Sequence, residues 1–122
     1  MQFSEAGIIL LTTRYSECVA FYGQILELPT LFQLEREDST LTCFDLGGAY
    51  LMVEPGLAES DKGWRSPVKL RFNVEDVEAS ATALRGKGVE INVRHRNWGT
   101  TAEFADPDGN CCALRSVRGF GT

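Results

Sequence analysis

Apolar and polar positions change their period along the chain, and they do so in the same order twice. Gly7 to Thr13 is an apolar, strand-like run. It gives way to Cys18, Phe21, Tyr22 and Ile25, whose i, i+3, i+4, i+7 spacing places one apolar face on a helix. In the second half, Val68 to Val74 alternates with period two, and Val77, Ala81 and Leu84 then follow at helical spacing. Asp76 is placed to cap that second helix, and Gly86 or Gly88 to end it.

Each helix is followed by three short strand patterns. They are Pro29 to Leu34, Leu41 to Phe44 and Ala49 to Glu54, then Val89 to Val93, Thr101 to Ala105 and Cys111 to Arg115. The last hairpin of each half turns on related residues, Asp45-Leu46-Gly47-Gly48 and Asp106-Pro107-Asp108-Gly109-Asn110, which supply the acceptors and the positive-φ positions of tight turns. Asp45 matches Asp106 at an offset of 61 residues, and Gly7 matches Lys69 at 62, so the chain reads as one βαβββ unit used twice. This predicts a single α+β domain over 1–122, with a first module at about 1–54, a polar linker at about 55–67 and a second module at about 68–118.

Composition narrows the function classes. With 122 residues, 43% of them hydrophobic and only 4 prolines, the chain can bury a core, and disordered or fibrous readings drop out. Twelve Lys and Arg against 17 Asp and Glu give a net charge of -5, a poor match for a polyphosphate backbone, so nucleic acid is not expected as a partner. The apolar stretch Ile8 to Leu11 is too short for a signal core or a membrane span, which predicts a cytoplasmic protein with no membrane partner. Cys18, Cys43, Cys111 and Cys112 lack CxxC spacing and read as reduced thiols, mostly small core residues.

Several segments carry a family resemblance: Phe21-Tyr22 ahead of Leu26-Glu27-Leu28, the run from Leu70 to Val77, the Trp98-Gly99-Thr100 step, and Phe104-Ala105-Asp106-Pro107-Asp108-Gly109-Asn110. Together they resemble the vicinal oxygen chelate superfamily, which contains glyoxalase I, extradiol dioxygenases, fosfomycin resistance enzymes and bleomycin resistance proteins. The resemblance implies that the two βαβββ modules form a curled mixed-sheet cup, the glyoxalase/bleomycin resistance/dioxygenase fold. It also implies a homodimer in which cups are shared between subunits. One local departure is Arg14 where the family often starts its first helix with Asp, which leaves Thr13 or Ser16 to cap.

In the superfamily's enzymes four side chains on the cup hold a divalent metal, and the resemblance puts those positions at Gly7, Met52, Lys69 and Ala113. None is a ligand for a hard or borderline cation, and the single histidine, His95, sits in a polar stretch among arginines that reads as a solvated loop. Asp106, Asp108 and Asn110 fit a hairpin turn better than a calcium loop, because Pro107 intervenes and no downstream Glu follows. The expectation is therefore a metal-free, bleomycin-resistance-like branch with no cofactor and no assigned catalytic residue.

Strand alternation then names the polar groups left in the cup. If Met52 faces it, so does Glu54; if Lys69 does, so does Arg71. With Trp98 at the rim, where the resemblance places it, and Glu103 as a cross-strand neighbour, Met52, Glu54, Lys69, Arg71, Trp98 and Glu103 form the candidate ligand-binding set. Lys69 and Arg71 suit an anionic ligand, but the same groups also fit simple cross-strand pairs, Lys69 with Glu54 or Arg71 with Glu103. The acidic balance and the indoles, Trp98 and the linker's Trp64, favour a cationic aromatic ligand instead. The leading expectation is a small organic ligand bound in a metal-free cup at a homodimer interface. The alternatives are a metal-dependent lyase, isomerase or dioxygenase of the glyoxalase type, and a non-catalytic partner domain whose cup is filled.

Overall fold

Two apolar strand–helix openings organise the computed structural model, which describes residues 1–2, 4–35, 37, 40–56, 68–118 and 120. The chain divides into two compact units, Met1–Trp64 and Arg65–Thr122. The linker beyond residue 56, including Trp64, lies outside the described residues.

In the first unit β1 (Gly7–Thr12) leads into helix α1 (Tyr15–Ala20), which continues as a π-helical turn over Phe21–Ile25. The strands β2 (Thr30–Glu35), β3 (Thr40–Asp45) and β4 (Tyr50–Pro55) follow, in the sheet order β1-β4-β3-β2. Strand β1 pairs with β4 in parallel, and the other pairs are antiparallel. Alternation fixes the core: Leu51 and Val53 are buried, as are Cys18, Phe21 and Tyr22 from the helical segment. Tyr22 packs edge-on to Phe21 and tilted against Phe44, the favoured aromatic geometries.

The expected caps of α1 are not used. Neither Thr13 nor Ser16 caps; Arg14 occupies the N-cap without a side-chain bond, its own N–H is taken by the Thr12 hydroxyl at 2.9 Å, and its guanidinium pairs with Glu17. That carboxylate in the first turn offsets the unfavourable placement of Arg14 at the positive end of the helix.

The second unit repeats the plan with β5 (Leu70–Val74), α2 (Val77–Gly86), β6 (Asn92–Arg96), β7 (Gly99–Ala105) and β8 (Cys111–Ser116), in the order β5-β8-β7-β6. Asp76 caps α2 by accepting from the Ala79 N–H at 3.0 Å, and Gly88 follows the helix at a φ of +89°. Val77, Ala81 and Leu84 are the buried stripe. Neither sheet closes on itself, and two four-stranded mixed sheets with one helical segment each make the α+β fold that duplication predicted.

One strand differs in place. The pattern puts a strand at Val89–Val93 and a loop at Arg94–Asn97, whereas β6 begins at Asn92 and runs through His95 to Arg96. It turns at Asn97-Trp98 into β7, which starts at Gly99 rather than Thr101. β6 is the sheet's edge, where charged side chains on both faces are tolerated and protect against strand addition. Among the described residues no helix is long and apolar enough to cross a membrane.

Candidate functional site on the open sheet faces

Register decides which side chains share the face turned away from each helix. In the first unit Gly7, Ile9 and Leu11 on β1 pair with Tyr50, Met52 and Glu54 on β4, and Met52 pairs on with Cys43 of β3. Met52, Tyr50, Cys43 and Phe32 line a hollow of about 630 Å³. Glu54 pairs with Leu11 and lies outside that hollow. Burial and the nearby Glu5 carboxylate push the Cys43 thiol above its usual range.

In the second unit Arg71 pairs with Ala113, Ala113 with Glu103, and Glu103 with Asn92. Two residues along, Arg115 pairs with Thr101 and Thr101 with Arg94. Lys69, Arg71, Trp98 and Glu103 converge on a smaller hollow of about 200 Å³, together with Arg96, Thr101 and Ala113. Four of the six expected ligand-binding residues thus meet at one place, while Met52 and Glu54 belong to the other unit. Trp98 also borders a wider hollow of about 560 Å³ on the helix side, with Asp76, His95 and Arg118.

The ion pair here is neither of the two expected. Lys69 Nζ donates to Glu103 Oε1 at 2.7 Å, a pair within the second unit. The bond raises the Lys69 ammonium above its ordinary value and lowers the Glu103 carboxyl, with Arg94 and Arg96 lowering Glu103 further. His95 is exposed on a strand rather than in a loop, held by Glu78 at 2.8 Å and Thr100 at 3.2 Å.

Sequence reasoning missed Arg94, Arg96, Arg115 and Phe120. The signal for Arg115 was present: it stands two residues beyond Ala113 on the same strand, and so on the same face. Arg115 is only 4% exposed. It donates to the Trp98 carbonyl at 2.9 Å and the Arg118 carbonyl at 3.3 Å, and it lies 5.0 Å from the Trp98 ring centre and 5.5 Å from that of Phe120.

The residues at the family's metal positions do not fit a metal. A side chain at position 7 would collide with Tyr50, because a Cβ there would lie 2.4 Å from the ring. Lys69 brings a cation already committed to Glu103, and buried Ala113 has no donor atom. The thioether of Met52 is a soft donor ill-suited to a hard cation. Among the described residues, no three His, Cys, Asp or Glu side chains gather closely enough to hold a metal ion.

Duplicated βαβββ modules, each an open four-stranded mixed sheet with one helical segment, define a class of small α+β proteins. A model of the Glyoxalase/Bleomycin resistance protein/Dioxygenase superfamily matches residues 6–113, and the chain belongs to that superfamily. No curated protein sequence matches it. Solved structures share the fold at low identity. SMU.1112c is 22% identical with a TM-score of 0.75, over 94% of this chain and 99% of its own. TnmS3, an antibiotic binding protein from Streptomyces sp. CB03234, is 20% identical with a TM-score of 0.73, over 95% and 98%. FosX, a fosfomycin resistance protein from Listeria monocytogenes complexed with Mn(II) and sulfate, is 20% identical with a TM-score of 0.70, over 95% and 93%.

Proposed function

We propose that this protein binds a small organic molecule on its open sheet faces, without a metal at the four positions its superfamily's enzymes use, and that it works as a homodimer. The observation that carries this reading is the hollow formed by Lys69, Arg71, Trp98 and Glu103, at a place where two of the four metal positions, Lys69 and Ala113, offer no metal donor. Such a site has what small-molecule recognition needs: an aromatic surface, a recess and a few placed polar groups. An antibiotic binding protein among the similar folds supports binding as a sufficient function for this architecture. The hollows in both units count against a filled cup that serves only as a partner domain.

The apolar face of the first unit supports the dimer. Ile9, Leu31, Phe32 and Leu34 are all exposed there or on its edge strand, an apolar concentration of the kind that marks an interface. The test of the binding claim is a ligand titration with chelator present: binding persists in the metal-free protein, and dependence on an added divalent ion would overturn it.

A further inference from the structure

The open face of the second unit is strongly charged in a protein of opposite net charge. Its strands, with Lys69 just ahead of β5, bring Lys69, Arg71, Arg94, Arg96 and Arg115 to one side, and Glu103 is the sole carboxylate in those rows. Glu103 is neutralised by Lys69. Among the described residues, Arg71, Arg94, Arg96 and Arg115 have no carboxylate within ion-pair distance. Four guanidinium groups with no ion-pair partner among the described residues thus share one face of a chain whose net charge is -5.

Arg115 sharpens the point. A buried cation is costly unless a counter-charge offsets the lost hydration. Among the described residues, every partner of this one is a neutral oxygen or an aromatic ring: the carbonyls of Trp98, Ser116 and Arg118, the Ser116 hydroxyl, and the faces of Trp98 and Phe120. Those groups orient the guanidinium and leave its charge uncancelled. Arg71 lies 5.8 Å from the same Phe120 ring, so the two arginines flank an aromatic surface from the chain's own end. Planar guanidinium groups match the paired oxygens of carboxylates and phosphates, and the rings beside them accept a flat apolar body.

We infer that this face is an oxyanion site, and that the ligand of the protein is a small aromatic carboxylate or phosphate ester, its anionic end held by Arg71 and Arg96 and its ring resting against Trp98 and Phe120. The inference rests on the ligand-binding reading above and settles the charge that reading leaves open. The positive face also draws such anions from solution despite the overall negative charge, because the field near the surface is set by the nearest groups within about 8–10 Å.

The test uses full-length protein carrying Trp64→Phe, so that Trp98 is the one indole, with binding read both by its fluorescence and by backbone amide NMR shifts. Phenyl phosphate and benzoate are compared with benzyl alcohol and benzamidine, which present the same ring with a neutral or cationic group. At least one of the two anions is expected to bind more tightly than both others and to weaken as salt rises. Arg71→Gln is expected to weaken that anion by about tenfold, the loss of one charge-assisted contact. Glu103→Gln is expected to tighten it, by removing the carboxylate and releasing Lys69. Tighter binding of benzyl alcohol or benzamidine, or anion affinities unmoved by both substitutions, would overturn the charge assignment while leaving ligand binding intact. Silence of all four probes and of a wider panel of aromatic and thiol-conjugate ligands would overturn both.

Discussion

Gly7 and Tyr50 decide what the first unit can do. The Tyr50 ring lies where a side chain from position 7 would have to stand, so the space beside Gly7 is already filled. Gly7→Ala is expected to lower stability by about 1 kcal/mol, the low end of the cost of overpacking, because Tyr50 is half-buried and can yield in part. Pairing it with Tyr50→Ala should recover most of that difference relative to Tyr50→Ala alone. Urea denaturation measures both, and a midpoint unmoved by Gly7→Ala would show that the ring does not confine the position. Part of the candidate site was legible at this scale. Lys69 and Trp98 were reached through the family resemblance, Arg71 by alternation from Lys69 and Glu103 as a cross-strand partner, and the four line one hollow. Their pairing was not legible, because alternation puts several cations beside one carboxylate without ranking them.

At the level of elements, turn chemistry was the most readable signal. Asp106 is buried and its carboxylate accepts from the N–H groups of Asp108 and Asn110 and from the Asn110 amide, while Gly109 takes a φ of +85°. Asp106→Ala would strand those donors in a partly buried turn, and a loss of about 2 kcal/mol or more is expected in chemical denaturation, in line with hydrogen bonds to a charged acceptor. A loss below about 0.5 kcal/mol would show that water replaces the carboxylate freely. β6 was misplaced for a physical reason. As an edge strand it buries none of its residues and half-covers only Val93, so Arg94, His95 and Arg96 carry no alternation of apolar and polar residues, and the strand is specified by pairing with β7 instead. That shift hid Arg94 and Arg96 from the site. The end of the first helix was hidden similarly: Glu27, not a glycine, takes the left-handed conformation there, at a φ of +58°.

For the whole molecule, duplication did most of the work that sequence reasoning accomplished, since a fixed offset placed both sheets and both helices before any side chain was considered. Contacts that depend on the far end of the chain were beyond it: nothing in periodicity brings Phe120 against Arg71 and Arg115. The dimer belongs at this scale, and sedimentation velocity is expected to give twice the chain mass at micromolar concentration. Substituting Ile9 and Leu34 with Lys should return it to one, whereas a monomeric wild-type protein would contradict the proposed assembly. The central claim is that the superfamily's scaffold is used here for binding an organic molecule without a metal. Its most direct test is a titration of Trp98 fluorescence in the Trp64→Phe protein, with a panel of aromatic ligands, after exhaustive chelation and again with Mn, Ni, Zn or Fe restored. The account predicts saturable binding of equal affinity in both conditions and no stoichiometric metal in protein purified without chelator; binding that vanishes on chelation and returns with one of those ions would contradict it.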